Sequence, residues 1–302
     1  MIDHETLSRS ARRLAAAIEP FVGQVYFSPE CHQEYVALGF GPSPRTVANG
    51  VQLPDGPAYF CSRGSALGQV PGELVAAAFA VFNPAVVVPA VAAGWRLTDA
   101  ATIAVARARG ATAQLARILG ESPAGLAEVT ALLARATDPL RVEGRPLYAG
   151  LRSLGLPGDP LGDAWRLADL LREFRGDAHT AAWTTAGFDA VEIGLLTELY
   201  WGLPMRSYIR SRAWSSAELD EGTERLRSRG LLDGDGFSER GRAEREAVEV
   251  ATDGHMRPAI EAVGADLEEL LGTVERWSVA VRQAGGYLPR GPHELARTES
   301  PR

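Results

Sequence analysis

The chain has 302 residues, 46% of them hydrophobic, so it is long enough for one large or two medium domains, and an intrinsically disordered chain is excluded. Its net charge of −7 excludes a general electrostatic attraction to nucleic acid or to an anionic membrane surface. Its two cysteines, Cys31 and Cys61, provide neither a disulfide scaffold nor a zinc site, and we expect buried free thiols in a reducing cytoplasm.

Residues 1–145 are predicted to form a helical domain, because no stretch in this half shows sustained period-two alternation. Residues 41–58 are rich in Gly and Pro and predict a loop, and we expect the aromatic and polar residues just after it to lie in a short irregular segment. The predicted helices of this half are 7–19, 98–118 and 122–136, with further helix starts at Ser28-Pro29 and near Pro71.

Residues 75–95 need a membrane test, because they carry no charge and are long enough to span a bilayer. Asn83, Pro84 and Pro89 interrupt this stretch, and its many alanines make it only mildly apolar. We therefore predict buried core helices with a proline break, and no membrane partner. The first 20 residues contain no apolar signal core, which favours a cytoplasmic protein.

Residues 146–189 are predicted to contain a long central helix, from about residue 160 to residue 186, which carries the motif LLREFRGDAHTAAW at residues 170–183. Gly176 lies inside this helix at a cost in helix stability, so we expect another part of the chain to pack closely there. At 100° per residue, the apolar side chains form one stripe with polar residues on both borders. Arg172, Arg175 and His179 lie along one border, and Glu173 and Asp177 lie along the other.

Three chemistries are open to this motif. Its two opposed borders cannot converge on one atom, which argues against a single metal centre, and we predict no metal site. His179 has the right side chain for general acid–base chemistry, but neither a nucleophile elbow nor a cysteine in a catalytic context accompanies it. The alternatives are the polar rim of a ligand pocket and a structural network of ion pairs.

Residues 190–252 have the order of a winged helix-turn-helix, and the passage RLRSRGLLDGDGFSERGR is similar to the third helix and wing of MarR-like modules. We predict helices over residues 190–202, 205–213 and 217–232, a tight hairpin at residues 233–236, and a further helix capped by Ser238. A C-terminal helix within residues 253–290 and a polar tail over residues 291–302 complete the prediction. The expected fold class is mainly α, with a multi-helical N-terminal half and a winged helix-turn-helix that contains a small β-hairpin.

The charges of this predicted module disfavour DNA binding. A recognition helix places its N-terminal side chains in the major groove, against a dense array of phosphates. Here the first half of that helix is acidic, and acidic and basic residues cancel between residues 206 and 246. Packing or homodimerisation is therefore the preferred role of the module. The acidic residues of that helix are Glu218, Asp220, Glu221 and Glu224.

The motif at residues 170–183 and a second motif at residues 59–84, followed by the winged segment, resemble the SalK-like family of actinobacterial helix-turn-helix proteins over about residues 5–265. Phe60, Ser62 and Arg63 match the family pattern Phe-x-Ser-Arg-x-Ala-Pro-Leu-Gly, whereas Ser65 and Ala66 occupy its Ala-Pro pair. Phe174 replaces the first histidine of the family pattern Arg-Glu-His-Arg-Gly-Asp-x-His, which removes one potential ligand or base. The resemblance implies a helix-turn-helix fold and a connection to natural-product genes.

Arg63 can clamp a carboxylate or phosphate in bidentate fashion, or it can pair with Glu173 or Asp177. Aromatic side chains beside it would provide a stacking wall. The preferred hypothesis is a cytoplasmic small-molecule-binding protein without an assigned cofactor. A DNA-binding transcriptional regulator and a biosynthetic enzyme are the alternatives. The candidate ligand-binding residues are Tyr26, Glu30, Phe60, Ser62, Arg63, Arg172, Glu173, Arg175, Asp177 and His179.

Overall fold

A computed structural model describes residues 2–47 and 50–289, and the predicted polar tail at residues 291–302 lies outside them. The described chain is mainly α-helical, as predicted, and its only sheet is a two-stranded antiparallel hairpin. The helices are α1 His4–Gly23, α2 Pro29–Ala37, α3 Gly56–Gly64, α4 Gly72–Phe79, α5 Pro84–Gly94, α6 Ala100–Leu119, α7 Leu126–Thr137, α8 Pro146–Ser153, α9 Pro160–Thr185, α10 Ala190–Tyr200, α11 Ser216–Ser228, α12 Glu239–His255, α13 Arg257–Val263 and α14 Leu267–Gln283. The strands are β1 Leu232–Asp233 and β2 Gly236–Phe237.

Side-chain caps fix several of the helix starts that the sequence predicts. Ser28 accepts from the backbone N–H of Cys31 at the start of α2, and Asp99 caps α6 in the same way. Ser215 and Ser238 begin the two helices that flank the hairpin, and Ser215 forms a capping box with Glu218. These caps satisfy N–H groups that a helix leaves without an internal partner, so they place the helix boundaries locally.

The long helix α9 is central to the main core, where it packs against α1, α6, α7 and α8. Its Trp165 is completely buried, and the indole N–H donates to the carbonyl of Val22 at 3.3 Å. Helices α13 and α14 return to this core and pack against α1 and α7, so residues near both ends of the described chain share one apolar interior. Burial of this extensive apolar surface is the main force that holds α9 in place.

Residues 190–255, called the winged segment below, build a second and smaller core around Leu195, Ile209 and Leu226. The sequence prediction of a helix over residues 205–213 is wrong, because the structure has only a 3-10 turn at Ile209–Arg212. The carboxylate of Glu198 accepts hydrogen bonds from the backbone N–H groups of Arg206, Tyr208 and Ile209, so these groups are not available to an α-helix. Helix α12 then packs against α9 and α1, which joins the winged segment to the main core.

Two further local predictions are wrong. Residues 59–63 are helical rather than irregular, because Asp55 caps α3 and Pro57 lies in its first turn, where a proline is tolerated. Gly176 is not a site of close packing, because it is exposed and a Cβ there would meet only the Glu173 carboxylate at 3.7 Å.

The proline-interrupted stretch at residues 75–95 forms parts of α4 and α5, whose apolar faces enclose a small aromatic and aliphatic cluster. Within residues 2–47 and 50–289, none of the helices combines the length and apolar character that a membrane crossing requires.

Gly110 and Gly176 give a matched test of the helix packing. A Cβ at Gly110 would lie 2.6 Å from Cα of Cys31, so Gly110→Ala should force α6 away from α2 and lower the free energy of unfolding by about 1–3 kcal/mol. Gly176→Ala meets no such obstacle and should raise the free energy of unfolding by about 0.5–1 kcal/mol, because alanine favours the helix. Urea unfolding of the two variants measures both changes, and a destabilised Gly176→Ala protein would contradict this packing.

Candidate functional site

A cavity of about 820 Å³ lies where α1, α3, the segment between α10 and α11 and the end of α14 meet. This volume is within the range of sites that enclose a small organic molecule. Much of the wall is aromatic. The residues that line the cavity are Ala15, Ala16, Glu19, Tyr26, Phe27, Leu53, Pro54, Gly56, Tyr59, Phe60, Phe82, Val86, Arg172, Trp201, Tyr208, Ser211, Arg212, Ala213, Arg282, Tyr287 and Leu288.

Tyr59 is at the centre of the aromatic wall. Its ring centroid lies 5.2 Å from that of Tyr26 and 5.3 Å from that of Phe60, and both pairs meet edge to face. Phe82 extends the same wall at 5.7 Å from Tyr59. Edge-to-face pairs of this kind favour a fixed arrangement of rings. The wall therefore presents a rigid apolar surface against which a planar molecule can pack.

The polar part of the cavity begins with Glu19 and Arg172. Arg172 donates two hydrogen bonds to the Glu19 carboxylate, at 2.8 and 3.3 Å, and a third to the Tyr26 hydroxyl at 3.3 Å. The Tyr287 hydroxyl donates to Glu19 at 2.9 Å. Burial raises the pKa of Tyr26 to about 12, so its hydroxyl remains protonated near neutral pH.

The ion pairs continue away from the cavity. Arg172 also donates to Glu173 at 3.1 Å, and Glu173 accepts two hydrogen bonds from Arg63, at 2.9 and 2.8 Å. Burial alone would raise the pKa of Glu173, but the positive charges of Arg63 and Arg172 lower it to about 2. Glu19, Arg172, Glu173 and Arg63 therefore form a continuous row of alternating charges, called the ion-pair chain below.

Arg63 thus pairs with Glu173, one of the two carboxylates predicted as its possible partners. Its guanidinium also lies 4.4 Å from the ring centroid of Phe79. Ser62 is nearby, and with Arg63, Glu173 and Asp169 it lines a separate void of about 10 Å³, which has room for one water molecule. This part of the motif is a packed polar interior, distinct from the large cavity.

Arg175 and His179 lie in a different network, on the side of α9 that faces α12. Arg175 donates to Glu249 at 3.0 Å and to Asp253 at 2.9 Å. His179 Nδ1 lies 3.1 Å from the hydroxyl of Thr252, and this hydroxyl donates to a backbone carbonyl, so it accepts from the histidine. Arg12 of α1 donates to the same Asp253 at 2.6 Å. The network joins α1, α9 and α12.

Asp177 and Glu30 occupy two further positions. Asp177 accepts from the backbone N–H of Tyr148 at 2.9 Å, and burial raises the pKa of this carboxyl to about 6. Glu30 pairs with Arg117 near the start of α2. Of the ten candidate residues, the structure places Tyr26, Phe60 and Arg172 in the wall of the cavity. The other seven are Glu30, Ser62, Arg63, Glu173, Arg175, Asp177 and His179, none of which lines it.

Sequence reasoning missed several residues that line the cavity, notably Glu19, Phe82, Tyr208, Arg212 and Arg282. They come from distant parts of the chain, so no spacing within a motif connects them. One local signal is the density of aromatic and basic residues in WGLPMRSYIRSR, residues 201–212, which follow α10. In residues 2–47 and 50–289, the structure contains no group of three or more His, Cys, Asp or Glu side chains that could hold a metal ion.

The arginines on and around α11 form ion pairs with carboxylates. Arg225 pairs with Asp189 at 2.7 Å, and Arg229 pairs with Glu192 at 3.1 Å. Arg206 pairs with Asp220. Cationic side chains supply the electrostatic part of DNA affinity, and these three already interact with carboxylates of the chain itself.

The helices and the two-stranded hairpin define a mainly α protein. The chain belongs to a helix-turn-helix family, whose family model matches residues 11–289. Neither a curated protein nor a solved structure matches the chain.

The environment of His179 predicts a pH dependence of stability. Burial lowers the pKa of His179 to about 4, with Arg245 and Arg175 acting in the same direction and Glu249 opposing them. As the pH falls from 6.5 to 4, the unfolded chain therefore binds a proton that the folded protein does not, and stability is lost. His179→Gln should reduce this loss by about 1–3 kcal/mol. Urea unfolding at several pH values measures it, and parallel profiles for the two proteins would contradict this environment.

Proposed function

We propose that this protein binds a small organic molecule in the cavity next to α1 and α3. The observation that carries the proposal is a volume of about 820 Å³ with eight aromatic side chains in its wall. Large apolar cavities that also contain a few convergent polar groups are the usual form of a small-molecule site. Here those polar groups come from Glu19, Arg172, Arg212 and Arg282. The lining aromatic residues are Tyr26, Phe27, Tyr59, Phe60, Phe82, Trp201, Tyr208 and Tyr287.

Within the helix-turn-helix family, we place the chain with the SalK-like proteins as a cytoplasmic ligand-binding member connected to natural-product metabolism. The residues that match the two SalK-like motifs support this placement. In this proposal, the winged segment serves packing or homodimerisation. The ion pairs of Arg12 and Arg175 with Asp253 support that role, because they fix α12 of the winged segment to α1 and α9.

A DNA-binding regulator is the second candidate, and membership of a helix-turn-helix family favours it. The cavity wall includes Trp201, Tyr208 and Arg212, and the chain continues from there directly into α11. The side chain of Asn83 lies 3.2 Å from the carbonyl of Ala213 and 3.3 Å from the Glu218 carboxylate, which connects the cavity wall to that helix. The arginines on and around α11 disfavour this candidate, because carboxylates of the chain already pair with them.

A fluorescent apolar probe tests the ligand proposal. N-phenyl-1-naphthylamine should bind the purified protein, and its emission should rise because the aromatic wall excludes water. Ala16→Trp adds a large ring at the cavity and should weaken binding at least about tenfold, equivalent to ~1.4 kcal/mol. Fluorescence titration measures both affinities.

Ala131→Trp is the matched control, because Ala131 is an exposed residue of another helix, α7, and does not line the cavity. It should bind the probe as the wild-type protein does. Thermal unfolding of both variants shows that the fold is retained. No saturable binding by the wild-type protein, or equal affinity in the Ala16→Trp protein, would contradict the ligand proposal.

The regulator candidate has its own test. We expect the protein to elute from heparin at low salt and to bind random duplex DNA weakly, because Arg206, Arg225 and Arg229 are held by carboxylates. Electrophoretic mobility shifts over a series of salt concentrations measure this. Tight binding whose affinity falls steeply with salt would instead establish several phosphate contacts and favour the regulator.

A further inference from the structure

The cavity contains more positive charge than its own residues neutralise. Glu19 and Arg172 neutralise one another through two hydrogen bonds. Arg212 and Arg282 also line the cavity, and within residues 2–47 and 50–289 neither has a carboxylate at ion-pair distance. Two cationic side chains therefore line the cavity without an ion-pair contact to a carboxylate in the described chain.

Arg212 is held by aromatic rings rather than by an acid. Its guanidinium lies 4.6 Å from the ring centroid of Phe82 and 4.7 Å from that of Tyr208. It donates one hydrogen bond to the Tyr208 hydroxyl. A guanidinium has five N–H donors in a planar fork, so most of its donors have no acceptor among the described residues. The rings fix the plane of the guanidinium and leave its hydrogen-bonding edge for another group.

Arg282 has a similar arrangement near the end of α14. It lies 5.0 Å from the ring centroid of Tyr287 and donates one hydrogen bond, at 2.5 Å, to the carbonyl of Leu288. Burial lowers the pKa of Arg282, and the neighbouring Tyr287 and Glu19 oppose this effect. An arginine whose charge is destabilised by burial gains stability when an anion binds beside it.

The aromatic wall limits the shape of such an anion. A small inorganic ion would leave most of the cavity empty, and it would bury none of the apolar surface of Phe27, Phe60 or Tyr59. A planar apolar body would pack against these rings, and an oxyanion attached to it would accept from the guanidinium fork. A cationic or neutral ligand would leave the two arginines without a counter-charge in an apolar setting.

Resting on the proposed function, we propose that the ligand of this cavity is a planar organic oxyanion. Its aromatic body packs against Tyr59 and the rings around it, and its carboxylate, sulfonate or phosphate group accepts from Arg212 and Arg282. The ion-pair chain makes no direct bond to this anion, because Arg172 is occupied by Glu19 and Glu173.

Two probes that differ in one charged group test the ligand class. 8-Anilinonaphthalene-1-sulfonate carries a sulfonate on the ring system of the neutral N-phenyl-1-naphthylamine. The wild-type protein should bind the sulfonate at least about tenfold more tightly, equivalent to ~1.4 kcal/mol. The Arg212→Gln/Arg282→Gln protein should lose this preference and keep its affinity for the neutral probe, which also shows that its cavity is intact.

Arg227→Gln/Arg240→Gln is the control for overall charge, because these two arginines are exposed on α11 and α12 and do not line the cavity. It should retain the full preference for the sulfonate. Equal affinities of the wild-type protein for the two probes would overturn the proposed class while the proposed function stands. An unchanged preference in the double variant would overturn the role of the two arginines. If neither probe binds, the proposed function itself fails.

Discussion

The ion-pair chain of Glu19, Arg172, Glu173 and Arg63 is the interaction on which the arrangement of the cavity depends. It joins α1, α9 and α3 through hydrogen-bonded charges that are largely buried. Buried charges are tolerated only when they are paired, and loss of one partner from such a pair costs about 3–5 kcal/mol. The three helices that the ion-pair chain joins also contribute Ala16, Tyr59 and Arg172 to the cavity wall, so the ion-pair chain helps to fix the shape of the cavity.

A second polar network joins α1, α9 and α12. Asp253 of α12 accepts from Arg12 of α1 and from Arg175 of α9, so the winged segment is attached to the main core by charged hydrogen bonds as well as by apolar packing. Arg175 and His179 of the central motif therefore belong to the helix junction, whereas its first arginine, Arg172, belongs to the cavity. The polar residues of α9 therefore belong to two separate sites, because successive positions of a helix face different neighbours.

The fold was largely predictable from sequence because its signals are local. Ser28, Asp99 and Ser238 cap helices through atoms a few residues away, and these starts are placed correctly. The sequence predicts a helix at residues 205–213, where the structure has a turn. The turn could not be predicted because backbone N–H groups of this segment donate to the carboxylate of Glu198, which lies outside the segment. The cavity could be predicted only in part, because its wall combines residues that are far apart in the sequence. Residues near positions 19, 212 and 282 meet there only through tertiary packing.

A crystal structure of the complex with 8-anilinonaphthalene-1-sulfonate would show directly whether the aromatic wall, Arg212 and Arg282 bind the ligand. We expect the naphthalene rings to lie against Tyr59 and Phe60 and the sulfonate to accept from Arg212 or Arg282. The bidentate bond between Arg63 and Glu173 should be unchanged. A probe bound outside the cavity would contradict the proposed ligand site. So would a sulfonate bound to Arg63 in place of the Glu173 carboxylate, since the ion-pair chain would then be the ligand site rather than its support.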